Sequence, residues 1–180
     1  RIDSAANRIT RLNEVRFSDL GFRERNHLQE WIANQPDVLG EELLVIQKEF
    51  DGFDDTRERL DLLAIDKLGN LVVIENKLDD SGRDVVWQCL KYASYCSSLS
   101  KAQVADIYGR YLEKSGTTAD SRQLICDFLG EEDFEDVVLN PGNDQRLMMV
   151  AAQFRKEVTS TVLWLLKHGV FIKCFKATPY

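Results

Sequence analysis

Apolar and polar positions divide the chain into short segments with clear boundaries. Leu60-Asp61-Leu62-Leu63-Ala64-Ile65 is apolar except for Asp61, and Leu71-Val72-Val73-Ile74 is apolar until it meets Glu75-Asn76-Lys77. Runs of this length, rich in Val, Ile and Leu and bounded by turn residues, read as buried strands. Asp66-Lys67-Leu68-Gly69-Asn70 lies between them as a turn. A Lys67-Leu68-Gly69 loop with Gly69 left-handed is a common hairpin connection. It pairs Asp66 with Asn70 and so sets Asp61 opposite Glu75. Strand side chains alternate between faces, so Glu75 and Lys77 point the same way. The register therefore gathers Asp61, Glu75 and Lys77 on one face at one end of the hairpin. A slip of one residue would send Asp61 and Glu75 to opposite faces.

The remaining pattern supplies a frame for this hairpin. Residues 1–18 alternate basic and apolar side chains and read as a short helix or a poorly packed leader of about 20 residues. Arg8, Arg11 and Arg16 read as a solvated face. Residues 22–35 predict a helix with Leu28, Trp31 and Ile32 on its buried side and Pro36 beyond its end. Residues 43–50 predict the first strand of the sheet, followed by a turn over residues 51–55. After the hairpin, Asp80 or Ser81 is placed to cap a helix starting near Arg83. Its core side is Val85, Val86, Cys89, Leu90, Ala93 and Cys96, with Trp87 at the rim. Gln88 and Tyr92, four apart, share a face.

Residues 101–143 are helical and polar and read as an insertion beginning near residue 100. They hold an apolar stripe ending near Gly116, a second helix over 120–129, an acidic loop over 130–136 and a turn over 140–144. Residues 146–152, 154–168 and 170–175 read as strand, helix and strand, which implies a crossover between parallel neighbours. The fold class expected is α/β, a mixed sheet of about five strands with helices on both faces.

Composition narrows the function classes. At 180 residues the chain has the size of one domain, and its 44% hydrophobic and 29% charged content is ordinary for a globular protein. No apolar run approaches the length of a membrane span, so no membrane partner is expected. The first residue is not Met, and the chain is read as a fragment of a longer protein. A net charge of −7 argues against a protein that coats nucleic acid through Lys and Arg. It leaves room for a local site where a cation offsets carboxylates. Cys89, Cys96, Cys126 and Cys174 form no CxxC pair, and His27 and His168 are not at ligand spacing with them, so zinc is not expected. All four cysteines lie in apolar segments and read as reduced core thiols of a cytoplasmic protein.

Candidate chemistry centres on the hairpin. Two carboxylates about 4 Å apart repel by roughly 4 kcal/mol at an effective dielectric of 20. Lys77 offsets part of this, and a hard divalent cation such as magnesium would offset more. A charge ladder at a solvated strand end is the alternative, since opposite charges across strands stabilise sheets modestly.

Asp61, 13 intervening residues, Glu75-Asn76-Lys77 and then Gln88-x-x-x-Tyr92 resemble the PD-(D/E)XK nuclease superfamily. The Gln-x-x-x-Tyr element resembles its RecB-type branch. The Arg59-Leu60-Asp61 lead-in and the Val73-Ile74-Glu75-Asn76-Lys77 run resemble the nuclease domain of NucS-like endonucleases. The resemblance is clearest over residues 24–95. It implies a restriction-endonuclease-like fold and a metal-dependent deoxyribonuclease, used in repair, restriction or defence. Asp61 and Glu75 would bind Mg2+, with Mn2+ able to substitute, and Asn76 would lend its backbone carbonyl. Lys77 would position or activate the attacking water, and Gln88 and Tyr92 would position that water or the phosphate. A helical glutamate commonly assists through the metal's water shell. Glu30 is preferred for that role, with Glu24 the competitor. Arg57 and Arg59 are placed either to reach a DNA phosphate or to pair with Asp54 or Asp55.

DNA is the expected partner, with a homodimer and an additional DNA-binding or motor domain in a longer chain as further expectations. A cytoplasmic, nucleoid-associated activity in a prokaryote fits this reading. A rival reading is a catalytically inactive module of the same fold that binds nucleic acid or protein. Cleavage of RNA instead of DNA is a third. Sequence does not choose between endonuclease and exonuclease.

Overall fold

Alternating apolar residues place the strands side by side in the computed structural model, which describes residues 2–52, 59–143 and 145–180. Near the N-terminus, β1 (Ile2–Asp3) and β2 (Arg8–Ile9) form a small antiparallel ladder. A five-stranded sheet follows, in the order β3 (Leu43–Phe50), β4 (Leu60–Asp66), β5 (Leu71–Asn76), β6 (Arg146–Ala151) and β7 (Ile172–Lys176). β3, β4 and β5 are antiparallel neighbours, whereas β6 and β7 run parallel to β5. The helices are α1 (Gln29–Asn34), α2 (Val85–Cys96), α3 (Lys101–Lys114), α4 (Ser121–Leu129) and α5 (Lys156–Lys167). This is the α/β mixed sheet that the pattern implies.

β4 and β5 are buried along their whole length because both faces of the sheet are covered. Leu63, Ile65, Leu71 and Val73 pack on one side with residues of α2, α3, α4 and α5. Leu62, Ala64, Val72 and Ile74 pack on the other with Leu28, Ile32 and Leu39. The hairpin register is the expected one: Leu62 pairs with Ile74, Leu63 with Val73, Ala64 with Val72 and Ile65 with Leu71. Gly69 closes the turn at φ 78°, and a side chain there would collide with the Val138 carbonyl.

At the turn end of the hairpin, charged side chains are fully paired. Asp66, 3% exposed, accepts from the N–H groups of Leu68 and Asn70 and from Arg146 Nη1 at 2.8 Å. Arg146 also grips both oxygens of Glu41, and Lys173 donates to Glu41 Oε1 at 2.7 Å.

Several local expectations are corrected. The leader starts with the β1–β2 ladder and not a short helix, and it is poorly packed as the other reading expected, with Ile2 and Ile9 77% and 83% exposed. Asp80 and Ser81 do not cap α2; Asp80 binds Arg155, and Ser81 accepts from the Arg155 N–H. Asp84 is the N-cap residue, without a side-chain cap. Cys174 is exposed because it lies on the outer strand β7, whereas the other three cysteines are buried. Arg59 pairs at 3.9 Å with Asp51. Asp54, Asp55 and Arg57, and with them most of the expected turn after β3, lie outside the described residues, as does Asp144. Among the described residues no helix is long and apolar enough to cross a membrane.

Candidate active site

The hairpin register delivers Asp61 and Glu75 to the α2 side of the sheet at the end away from the turn. Both are deeply placed, Asp61 at 9% and Glu75 at 2% exposure. Asp61 Oδ2 accepts from the Asn76 N–H at 2.8 Å. Lys77 Nζ donates to Glu75 Oε1 at 2.9 Å. Glu75 Oε2 is buried without a hydrogen-bond partner.

These positions set the charges. Burial and the neighbouring Glu75 push the Asp61 carboxyl up to about 8, against the pull of the Asn76 N–H and Lys77. Burial likewise raises Glu75, although Lys77 opposes it. Burial alone would lower the Lys77 ammonium, but the charge of Glu75 and the hydrogen bond to it outweigh that and raise its pKa. Cys89 of α2 is within the field of the same cluster, and burial followed by the Glu75 charge raises its thiol well above the ordinary value. It is therefore a buried, neutral thiol.

The helical glutamate that reaches the cluster is Glu24, not Glu30. Glu24 Oε1 lies 3.9 Å from Lys77 Nζ, and Oε2 accepts from the Leu78 N–H at 2.9 Å. Glu30 instead binds Lys48 through both carboxylate oxygens, at 2.9 and 2.8 Å. The cause is local. The helix opens with a π turn over Glu24–Leu28 before α1 begins, a feature often found at functional positions. Glu24, Leu28 and Ile32 are spaced by four, and Leu28 and Ile32 are buried. That stripe was the sequence signal for Glu24, which extends it towards the site. Trp31, expected on the buried side, is 43% exposed and packs edge-on against Phe22 at 5.0 Å.

Tyr92 is 2% exposed, and its hydroxyl donates to the Arg59 carbonyl at 3.0 Å. It thereby fixes the entry to β4, two residues before Asp61. Gln88 is half-buried one turn earlier on α2. Asn76 is fully buried, and its backbone lies between the two acids through the Asp61 hydrogen bond.

The donor set suits a hard cation. Two buried carboxylates that act on each other's charge, one oxygen of which lacks any hydrogen-bond partner, are oxygen donors of the kind such an ion takes. Among the described residues no group of three or more His, Cys, Asp or Glu side chains is gathered to hold an ion. The protein's side-chain contribution would thus be the two carboxylates of Asp61 and Glu75.

No family model matches the chain, and no curated protein matches it. Among solved structures it is similar to EndoMS in complex with double-stranded DNA, at 17% identity and a TM-score of 0.47, over 87% of this chain and 46% of that one. It is also similar to a repair endonuclease from Pyrococcus abyssi, at 20% identity and a TM-score of 0.42, over 88% of this chain and 49% of that one. The chain spans about half the length of each.

Proposed function

We propose that this chain is a magnesium-dependent deoxyribonuclease that hydrolyses DNA phosphodiester bonds. The observation that carries the reading is the buried, partnerless Glu75 Oε2 beside an Asp61 carboxyl raised to about 8. Such a pair is held at a cost that a divalent cation removes. Asp61 and Glu75 would hold the ion, with the Asn76 carbonyl as a third oxygen. When bound, the ion polarises the scissile phosphate and makes the attacking water more acidic.

The chain's own groups do the rest. Lys77 has a raised pKa and stays an ammonium at neutral pH. It orients the attacking water as a donor and stabilises negative charge developing on the phosphate; it does not serve as the base. Glu24, 37% exposed along its side chain and 3.9 Å from Lys77 Nζ, would bind outer-shell water of the ion in place of Glu30. Tyr92 holds the start of β4, and Gln88 lies beside it to contact the phosphate or its water.

Cleavage of linear, nicked and mismatched DNA in Mg2+ or Mn2+ tests the proposal, with matching RNA as a control. Glu75→Ala and Lys77→Ala should each lower the rate by at least about a hundredfold. Equal cleavage by wild type and both variants would overturn it. Manganese binding that survives Asp61→Ala would favour the inactive-module reading.

A further inference from the structure

The hydrogen bonds around Asp61 come from both faces of the sheet. Its carboxylate lies on the α2 side, where the Asn76 N–H holds Oδ2. Its backbone carbonyl accepts from Gln29 Nε2 at 3.0 Å, and Gln29 belongs to α1 on the other side. Gln29 is 1% exposed, and its Oε1 is buried without a partner. The Asn76 side chain follows Val72 and Ile74 on the α1 side, and neither of its polar atoms has a partner.

Buried amides left half-satisfied cost stability, and an apolar residue of similar length at position 29 would avoid that cost. Their presence behind the carboxylates therefore calls for a reason other than packing. The backbone supplies one. Lys48 pairs with Leu62 and Phe50 with Leu60, so Glu49 stands across from Asp61, and Glu49 has a left-handed φ of 51°. β3 also carries a bulge between Val45 and Gln47. Regular strand geometry thus fails beside Asp61, and a side-chain amide holds the Asp61 carbonyl at that point.

We propose that Gln29 is a positioning residue that fixes Asp61 from the face opposite the carboxylates. The inference rests on the nuclease reading for its purpose, because a rigid Asp61 matters most if it ligates an ion. Its geometric content stands apart from that reading.

Amide hydrogen exchange on the metal-free protein decides it, comparing wild type with Gln29→Met and Gln29→Leu. Loss of the Gln29 bond should free Asp61 and so speed exchange of the Asn76 N–H by about tenfold or more. The Val73 and Ile74 amides should keep their protection, which separates a local release of Asp61 from a general loss of stability. Calorimetric titration with Mn2+, without DNA, should show affinity falling by about 10- to 100-fold. Unchanged exchange at Asn76, or a loss of protection as large at Val73 and Ile74 as at Asn76, would show a structural tie only and overturn the inference. Wild-type protein that takes up no Mn2+ would instead remove the nuclease reading, whatever the exchange result.

Discussion

The two ends of the β4–β5 hairpin bury carboxylates in opposite ways. At the turn end, Asp66 and Glu41 meet Arg146 and Lys173, and the hydrogen bond from Arg146, more than any other contact, draws the Glu41 carboxyl down to about 2. At the other end, Asp61 and Glu75 share Lys77, and burial drives Asp61 up to about 8. The same strands therefore carry one satisfied cluster and one that is short of positive charge. Desolvation acts at both ends; what differs is the number of cations within reach. A fold that can pair its buried acids at one end and leaves them underpaired at the other has a use for the deficit, and a cation from solution is the natural complement.

Removing Arg146 should break this contrast with the largest effect. Arg146→Met leaves Glu41 with Lys173 alone and strips Asp66 of its guanidinium. A buried ion-pair network that loses its central partner costs about 3–5 kcal/mol. Urea denaturation at pH 7 measures this, and a loss under about 1 kcal/mol would show that the turn-end cluster is not a clasp.

Asp61→Asn should act with the opposite sign. The folded-state carboxyl is raised to about 8 from an ordinary 3.8. Between those values the folded protein holds a proton that the unfolded chain has released, so stability falls as pH rises through this window and is level above it. Asparagine keeps an acceptor for the Asn76 N–H and carries no charge. The metal-free variant should be more stable than wild type at pH 8, by about 2 kcal/mol or more and at most the roughly 6 kcal/mol that a rise from 3.8 to about 8 allows. At pH 4 the two should be alike. Thermal denaturation in chelator reads both, and a variant weaker than wild type at pH 8 would contradict the raised pKa. Added Mn2+ should stabilise the wild type more as pH rises, because the ion and the proton compete for the same oxygens.

The unequal ends were also unequally legible in sequence. The Asp61–Glu75 juxtaposition follows from a turn type and a period of two, both local, so the register could be derived from Asp66 to Asn70 outward. The helical acid was less legible. Glu30 and Glu24 lie on one predicted helix, and the π turn that starts it at Glu24 changes which residue faces the sheet. The turn-end cluster was not legible at all. Arg146 stands 105 residues from Glu41, and Lys173 stands 132 from it. No local pattern records a contact that depends on β6 and β7 joining the sheet. Asn140 is a similar case. Its side-chain amide donates to the carbonyls of Cys96, Ser97 and Leu99 beyond the last turn of α2, and the sequence shows only a turn around Asn140-Pro141-Gly142.

Glu41→Gln is the smallest and most diagnostic change. A depressed carboxyl contributes stability that is present above its unfolded value of 4.5 and is lost as pH falls through about 2. Glutamine keeps an acceptor for Arg146 but loses the charge, and Arg146 retains Asp66. The expected loss at pH 7 is therefore about 1–2 kcal/mol, shrinking to nothing near pH 2. Set beside Asp61→Asn, it separates the two limbs of one curve. In metal-free wild type, stability should climb from pH 2 to about 4.5 through Glu41 and decline from about 4 to 8 through Asp61, giving a maximum near pH 4–5. Glu41→Gln should reduce the acid limb and leave the alkaline one, and Asp61→Asn should reduce the alkaline limb to the part that the raised Glu75 carries and leave the acid one. If either substitution flattens both limbs, the ends of the hairpin are electrostatically coupled along its length, and the contrast between them is one of degree.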